Sequence, residues 1–137
     1  MALSDPASPV NVLADRFWES VLELNPTVAT IYGDERYNDR LEDPSPAGRA
    51  RARRLMERTK AEAEAISPDG LSVEDRITRD MLIVIADQGI EEDDQGIHRL
   101  KVVDQIGGPQ VLLPQVATFQ AADSAPHSRI STRLSRK

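Results

Sequence analysis

The chain has 137 residues, about one domain. Its apolar share is 39%, with two Phe, two Tyr and one Trp, so Leu, Ile, Val and Ala must supply most of the burial, as in packed helices. The 23 acidic against 17 basic residues give a net charge of -6, which argues against non-specific binding to nucleic acid or to anionic membranes. Cysteine is absent, which excludes disulfides, thiolate nucleophiles and Cys-based zinc sites and suits the reducing cytoplasm. Met1 to Val10 hold no basic segment followed by an apolar run, and no stretch approaches the ~18 apolar residues of a membrane span. A soluble, unexported, cytoplasmic protein is expected.

Residues 1–8 are expected to be disordered. Ser8 and Pro9 then read as an N-cap with proline at the first helical position, and Val10, Leu13, Phe17, Val21 and Leu24 recur at helical spacing. This predicts a first helix over 9–24. Asn25 and Pro26 end it and start a second, short helix, with Asn25 as its cap and Gly33 able to take the left-handed C-terminal position. From Asp34 to Pro44 the apolar period disappears into a charged loop, with Tyr37 and Leu41 available to dock on the helices.

Ser45 and Pro46 repeat the cap-then-proline signal and predict a third helix to about Ile66. Ala52, Leu55, Met56, Thr59, Ala63 and Ile66 share one face of it; Arg49, Arg53, Glu57, Lys60 and Glu64 lie largely on the other, with Arg53 and Glu57 paired along the helix. Pro68, Asp69 and Gly70 form a turn, and Ser72 to Asp75 resembles a capping box. The fourth helix has a broad apolar face of Ile77, Met81, Leu82, Val84 and Ile85. Gly89 costs about 1 kcal/mol inside a helix, which packing can offset, so the longer helix reaching Gly96 is preferred.

Leu100 to Ile106 read as extended, and Gly107, Gly108 and Pro109 as a turn that opens a short helix through Leu113, limited or kinked by Pro114. Residues 124–137 contain four Ser, three Arg and one Lys with only Ile130 and Leu134 as large apolar side chains, the composition of a frayed tail.

No complete active site is legible. The chain lacks His-Glu-x-x-His, whose residues four apart would reach one zinc ion from one helix face, and His98 and His127 have no ligand spacing. Glu91 to Asp94 lack the alternating ligands and central glycine of a calcium loop and read as a solvated helix face. Gly107 to Pro109 are too short for a phosphate-binding loop, and no Gly-x-Ser-x-Gly elbow occurs. Trp18 reads as a core or groove residue. Asp34, Arg36, Tyr37, Asp39 and Arg40 put carboxylates, guanidinium groups and an aromatic ring on one loop, suited either to orienting a polar substrate or to structural ion pairs.

Several short motifs follow one another in a fixed order. Ala14 to Trp18 come first, then Asn25-Pro26, Ala29-Thr30, Gly33-Asp34, Arg36-Tyr37 and Asp39 to Leu41. Asp75-Arg76, Asp104-Gln105, Gly107 to Gln110 and Leu113 to Gln115 complete the series. Over about residues 10–123 this order resembles the opening of the bacterial "domain of unknown function 885" family. The resemblance implies an all-α, N-terminal segment of about four to five helices, residues 9–123, belonging to a larger metallopeptidase-like fold. It implies zinc for full-length relatives, on a His-Glu-x-x-His helix downstream, and no cofactor, metal ligand or catalytic residue in this chain. Past about Pro126 the sequence departs from the family pattern and echoes it only at Arg133 and Leu134, as a truncated or frameshifted reading frame would. The expected function is therefore an N-terminal fragment without hydrolytic activity of its own, with Asp34 to Leu41 bordering a substrate cleft. Its partner would be the remainder of a longer chain or another copy, held through exposed apolar faces. The alternative is a small non-enzymatic interaction module that binds through the Val84 and Ile85 face or through Val111 to Leu113.

Overall fold

The computed structural model describes residues 8–99 and 109–118. In chain order they form α1 (Pro9–Leu24), α2 (Pro26–Ile31), a 3-10 turn (Glu35–Tyr37), α3 (Pro46–Ala65), α4 (Val73–Asp94), a second 3-10 turn (Ile97–Arg99) and α5 (Pro109–Thr118). No strand occurs among the described residues, so the all-α expectation holds.

Three of the helices start where a serine precedes them. The Ser8, Ser45 and Ser72 hydroxyls accept the backbone N–H of Asn11, Gly48 and Asp75 at 3.2, 3.1 and 3.0 Å, each filling one donor that a helix start leaves open. α3 and α4 form the main antiparallel pair, and α1 packs across both. Leu13 of α1, Ala63 of α3 and Leu82 of α4 meet in the core, with Phe17, Ile66 and Ile83 packed around them. Arg79 of α4 donates to the Ile66 carbonyl at 2.8 Å and so closes the C-terminal end of α3.

α4 runs through Gly89 to Asp94, the longer of the two readings. A Cβ at Gly89 would lie 2.9 Å from Cγ of Met56, so the missing side chain lets α3 seat a methionine against α4. Several expectations are corrected. The Asn25 side chain does not cap α2: it donates back to the Val21 carbonyl at 2.8 Å and finishes α1. α5 does not stop at Leu113 but reaches Thr118 with Pro114 inside it. Losing one helical hydrogen bond to proline costs ~3 kcal/mol, and full burial of a valine such as Val116, about 1.5–3 kcal/mol, offsets much of that.

Trp18 is not a core residue; it stays 41% exposed and meets Tyr32 edge-on, ring centroids 5.2 Å apart. Arg53 does pair with Glu57 at 2.8 Å, but it also crosses to α4, where it holds Asp93 at 2.9 Å and Asp94 at 2.6 Å. The end of the acidic run is thus an inter-helix ion pair rather than a purely solvated face. Of the apolar face expected for α4, Leu82 alone is buried, while Ile77, Met81, Val84 and Ile85 are exposed. The expectations for residues 1–7, for Leu100 to Ile106, for Gly107-Gly108 and for the segment after Thr118 lie outside the described residues.

Candidate functional site: the corner between α2 and α3

Gly33 ends α2 at φ +81°, a conformation open to glycine because no Cβ meets the preceding carbonyl. Around it, the Asp34 N–H reaches the Ala29 carbonyl at 2.8 Å and the Gly33 N–H reaches Thr30 at 3.1 Å, the paired bonds of a Schellman ending. This directs the chain outward at Asp34.

Asp34 then organises the first half of the loop. Its carboxylate accepts the Arg36 backbone N–H at 3.0 Å and grips the guanidinium by two prongs, Nε at 3.0 Å and a terminal nitrogen at 2.6 Å. The same guanidinium reaches Glu19 of α1 at 2.9 Å, which pins the loop to the first helix. Hydrogen bonding from the Arg36 side chain, and then from its backbone, holds the Asp34 carboxyl below the usual range, while Asp34 and Glu19 raise the pKa of Arg36. Two cations approach the Tyr37 ring, Arg36 and Arg40 at 5.3 and 5.6 Å from its centroid. Asp39 and Arg40 are exposed.

Sequence reasoning missed three residues that hold this corner. Asn38 is buried, and its amide oxygen accepts the Thr30 hydroxyl at 2.7 Å. Glu42 supplies the cap that Asn25 does not: its carboxylate accepts the Thr27 N–H at 2.9 Å, and the Thr27 hydroxyl as well. Gly48 lets the chain turn into α3, because a Cβ there would stand 2.9 Å from the Asp43 carbonyl carbon and 2.8 Å from its Cγ. Asp43 in turn accepts the Ser45 N–H at 3.0 Å and Arg51 at 2.5 Å. Side-chain and backbone hydrogen bonds from Ser45, then Arg51, hold the Asp43 carboxyl below its usual value. The only local signal for any of these was the Asp43-Pro44-Ser45-Pro46 series of turn formers; the pairing of Glu42 with Thr27 spans fifteen positions.

Between the end of α1, the start of α2 and the first turns of α3 lies a cleft of about 510 Å³. Arg40, Arg49 and Arg51 line it together with Glu23, Glu42 and Asp43, Arg51 and Asp43 being paired. Of the five residues expected to form the loop site, the structure brings Arg40 to this cleft; Asp34 and Arg36 stabilise the loop, the Tyr37 ring has both Arg36 and Arg40 near it, and Asp39 is not among the residues that line the cleft. The cleft offers balanced donors and acceptors, and two of its carboxylates, Glu42 and Asp43, already serve the backbone. Among the described residues no group of three or more His, Cys, Asp or Glu side chains could hold a metal ion, so they do not fit a zinc centre. No helix among them is long and apolar enough to cross a membrane.

An all-helical segment with a pre-formed charged corner is the class of structure that these features define. Residues 26–136 match the model of the family described as bacterial protein of unknown function (DUF885), and the chain belongs to that family. The matched span begins at the α2 corner and continues beyond α5. No curated protein and no solved structure matches the chain.

Proposed function

We propose that this chain is the N-terminal helical part of a longer, zinc-peptidase-like protein and supplies one wall of its substrate cleft without hydrolysing peptides itself. The observation that carries the reading is the corner over 34–48. Its backbone is fixed by Asp34, Asn38, Glu42 and Gly48, while Asp39 and Arg40 stay exposed, Arg40 beside the 510 Å³ cleft. Fixed backbone with exposed charged side chains suits the orientation of a polar chain such as a peptide, because little backbone ordering entropy remains to be lost on binding. Zinc, when present in a longer relative, would polarise the scissile carbonyl from ligands downstream of this segment. The setting is cytoplasmic, and the natural partner is the remainder of the longer protein.

The test has two arms. The purified chain, incubated with zinc and a pool of fluorogenic peptides, is expected to give no chelator-sensitive turnover; such turnover would overturn the non-catalytic assignment. In a longer family member, alanine at the positions equivalent to Asp39 and Arg40 is expected to raise KM several-fold with Tm unchanged. Unchanged kinetics with a lowered Tm would show the corner to be structural only. The uncovered apolar face of α4 favours a second reading, a non-enzymatic module that binds through that face.

A further inference from the structure

The cleft between α1, α2 and α3 holds charges of both signs in equal number. Arg40, Arg49 and Arg51 stand with Glu23, Glu42 and Asp43 around about 510 Å³, a volume in the usual range for small ligands. A lining of zero net charge disfavours a polyanion such as a nucleotide, and a polyamine equally, because either would meet like charges with no surplus of the opposite sign. It accommodates a molecule that carries one charge of each sign.

The bonds inside the cleft separate the charges that serve the fold from those that remain open. Glu42 is committed to the N–H and hydroxyl of Thr27, and Asp43 to Ser45 and Arg51, so Glu42, Asp43 and Arg51 are spent. Glu23, Arg40 and Arg49 enter no ion pair among the described residues. Arg49 is half-buried, and one of its terminal nitrogens donates to the Pro44 carbonyl at 2.8 Å, which fixes the head group while its other N–H donors stay open. The Arg40 guanidinium carbon lies 5.6 Å from the centroid of the Tyr37 ring, and its side-chain N–H donors meet no acceptor among the described residues. Two guanidinium groups with open donors match a carboxylate, whose two oxygens take paired N–H bonds. The one open carboxylate, Glu23, matches an ammonium group.

We propose that this cleft binds a short zwitterionic peptide by its two ends, the C-terminal carboxylate on Arg40 and Arg49 and the N-terminal ammonium on Glu23. The choice of a peptide among zwitterions rests on the proposed function, in which this corner borders a peptide cleft. It narrows that substrate to oligopeptides with both ends free, since an internal segment of a protein offers neither charge. A sphere of the cleft's volume is roughly 10 Å across, and three extended residues span about 10 Å, so a tripeptide is the fitting length.

The probe is trialanine, titrated calorimetrically into the purified chain beside its C-terminal amide and its N-acetyl derivative. Amidation should weaken binding about tenfold or more, because it removes charge-assisted bonds to two guanidinium groups. Acetylation should weaken it about three- to fivefold, the smaller effect of a single exposed pair. Arg40→Gln and Glu23→Gln change exposed side chains, so Tm should hold while the first reduces the preference for trialanine over its amide and the second removes the preference over the acetyl peptide. Absence of saturation by about 10 mM trialanine would overturn the proposal. So would equal affinity for trialanine and its amide, or for trialanine and the acetyl peptide. Binding left undiminished by both substitutions would place the peptide elsewhere and overturn the site. Trialanine binding here, with no peptide turnover by a longer family member, would keep the site and refute the peptidase reading; turnover there without binding here would do the reverse.

Discussion

Replacing Gly48 with alanine separates local helix preference from tertiary constraint, because the two give opposite signs. Gly48 is the third residue of α3, and in an unconstrained helix glycine to alanine stabilises by up to about 1 kcal/mol. Here the new methyl would lie 2.8 Å from Cγ of Asp43 and 2.9 Å from its carbonyl carbon, and still nearer its carbonyl oxygen, so the Asp43 backbone must move by at least several tenths of an ångström. That backbone cannot yield freely, since Asp43 is tied to Ser45 and Arg51 and is next in sequence to Glu42, the cap of α2. Overpacking of this kind costs about 1–3 kcal/mol, and disturbing the Ser45 cap adds ~1 kcal/mol. After subtracting the helix-propensity gain, a net loss of about 1–3 kcal/mol is expected, corresponding to a Tm lowered by roughly 3–12 °C for a chain of this size. Urea denaturation of Gly48→Ala beside the parent chain measures it. A stabilised variant, with an unchanged dependence on denaturant, would refute the close approach of Asp43 to α3.

Other substitutions check neighbouring steps of the same argument. Gly89→Ala should change stability by less than about 0.5 kcal/mol in chemical denaturation, because the helix-propensity gain is offset only by displacement of the flexible Met56 side chain. A loss as large as that at Gly48 would mean that Met56 is rigidly seated. Glu42→Ala should cost about 1–2 kcal/mol by removing the cap on Thr27, and Glu42→Gln, which keeps an acceptor, should cost less; equal costs would assign the effect to charge rather than to capping. Asp34 and Asp43 have lowered folded-state pKa values, so the unfolded chain binds more protons than the folded one near pH 4. Their stabilisation is fully present above the ordinary carboxylate value of 3.8 and is lost as pH falls through the lowered folded values. Tm should be level from about pH 7 to 5 and fall below about pH 4, and Asp34→Asn with Asp43→Asn should flatten that acid limb.

The parts of this protein that were legible before any coordinates were those fixed within one helical turn. Ser8-Pro9, Ser45-Pro46 and Ser72 each mark a helix start because the cap bonds a donor only three residues away. Gly33 marks an ending because its positive φ is a property of a single residue. The same local logic failed at Asn25, where two helices meet and one side chain had two possible duties; the structure gives it to α1. It failed again at Pro114, where burial of Val116 two residues on offsets much of the cost of a lost backbone bond. Of the loop site, sequence alone brought forward the charged residues Asp34 to Arg40 but not their division into Asp34 and Arg36, which hold the loop, and Asp39 and Arg40, which remain exposed.

The sequence by itself determined an all-helical chain, the starts and most ends of its helices, and membership of its family, because caps, helical periodicity and ordered motifs are properties of neighbouring residues. Only the tertiary structure decided that Glu42 caps α2, that Arg53 crosses to Asp93 and Asp94, and that Trp18 stays near the surface. It alone also revealed that the apolar stripe of α4 faces outward while Leu82 turns into the core. A periodic pattern says that a helix has an apolar face; whether that face is covered depends on where distant parts of the chain are placed, and a burial pattern set by such contacts cannot be read from spacing.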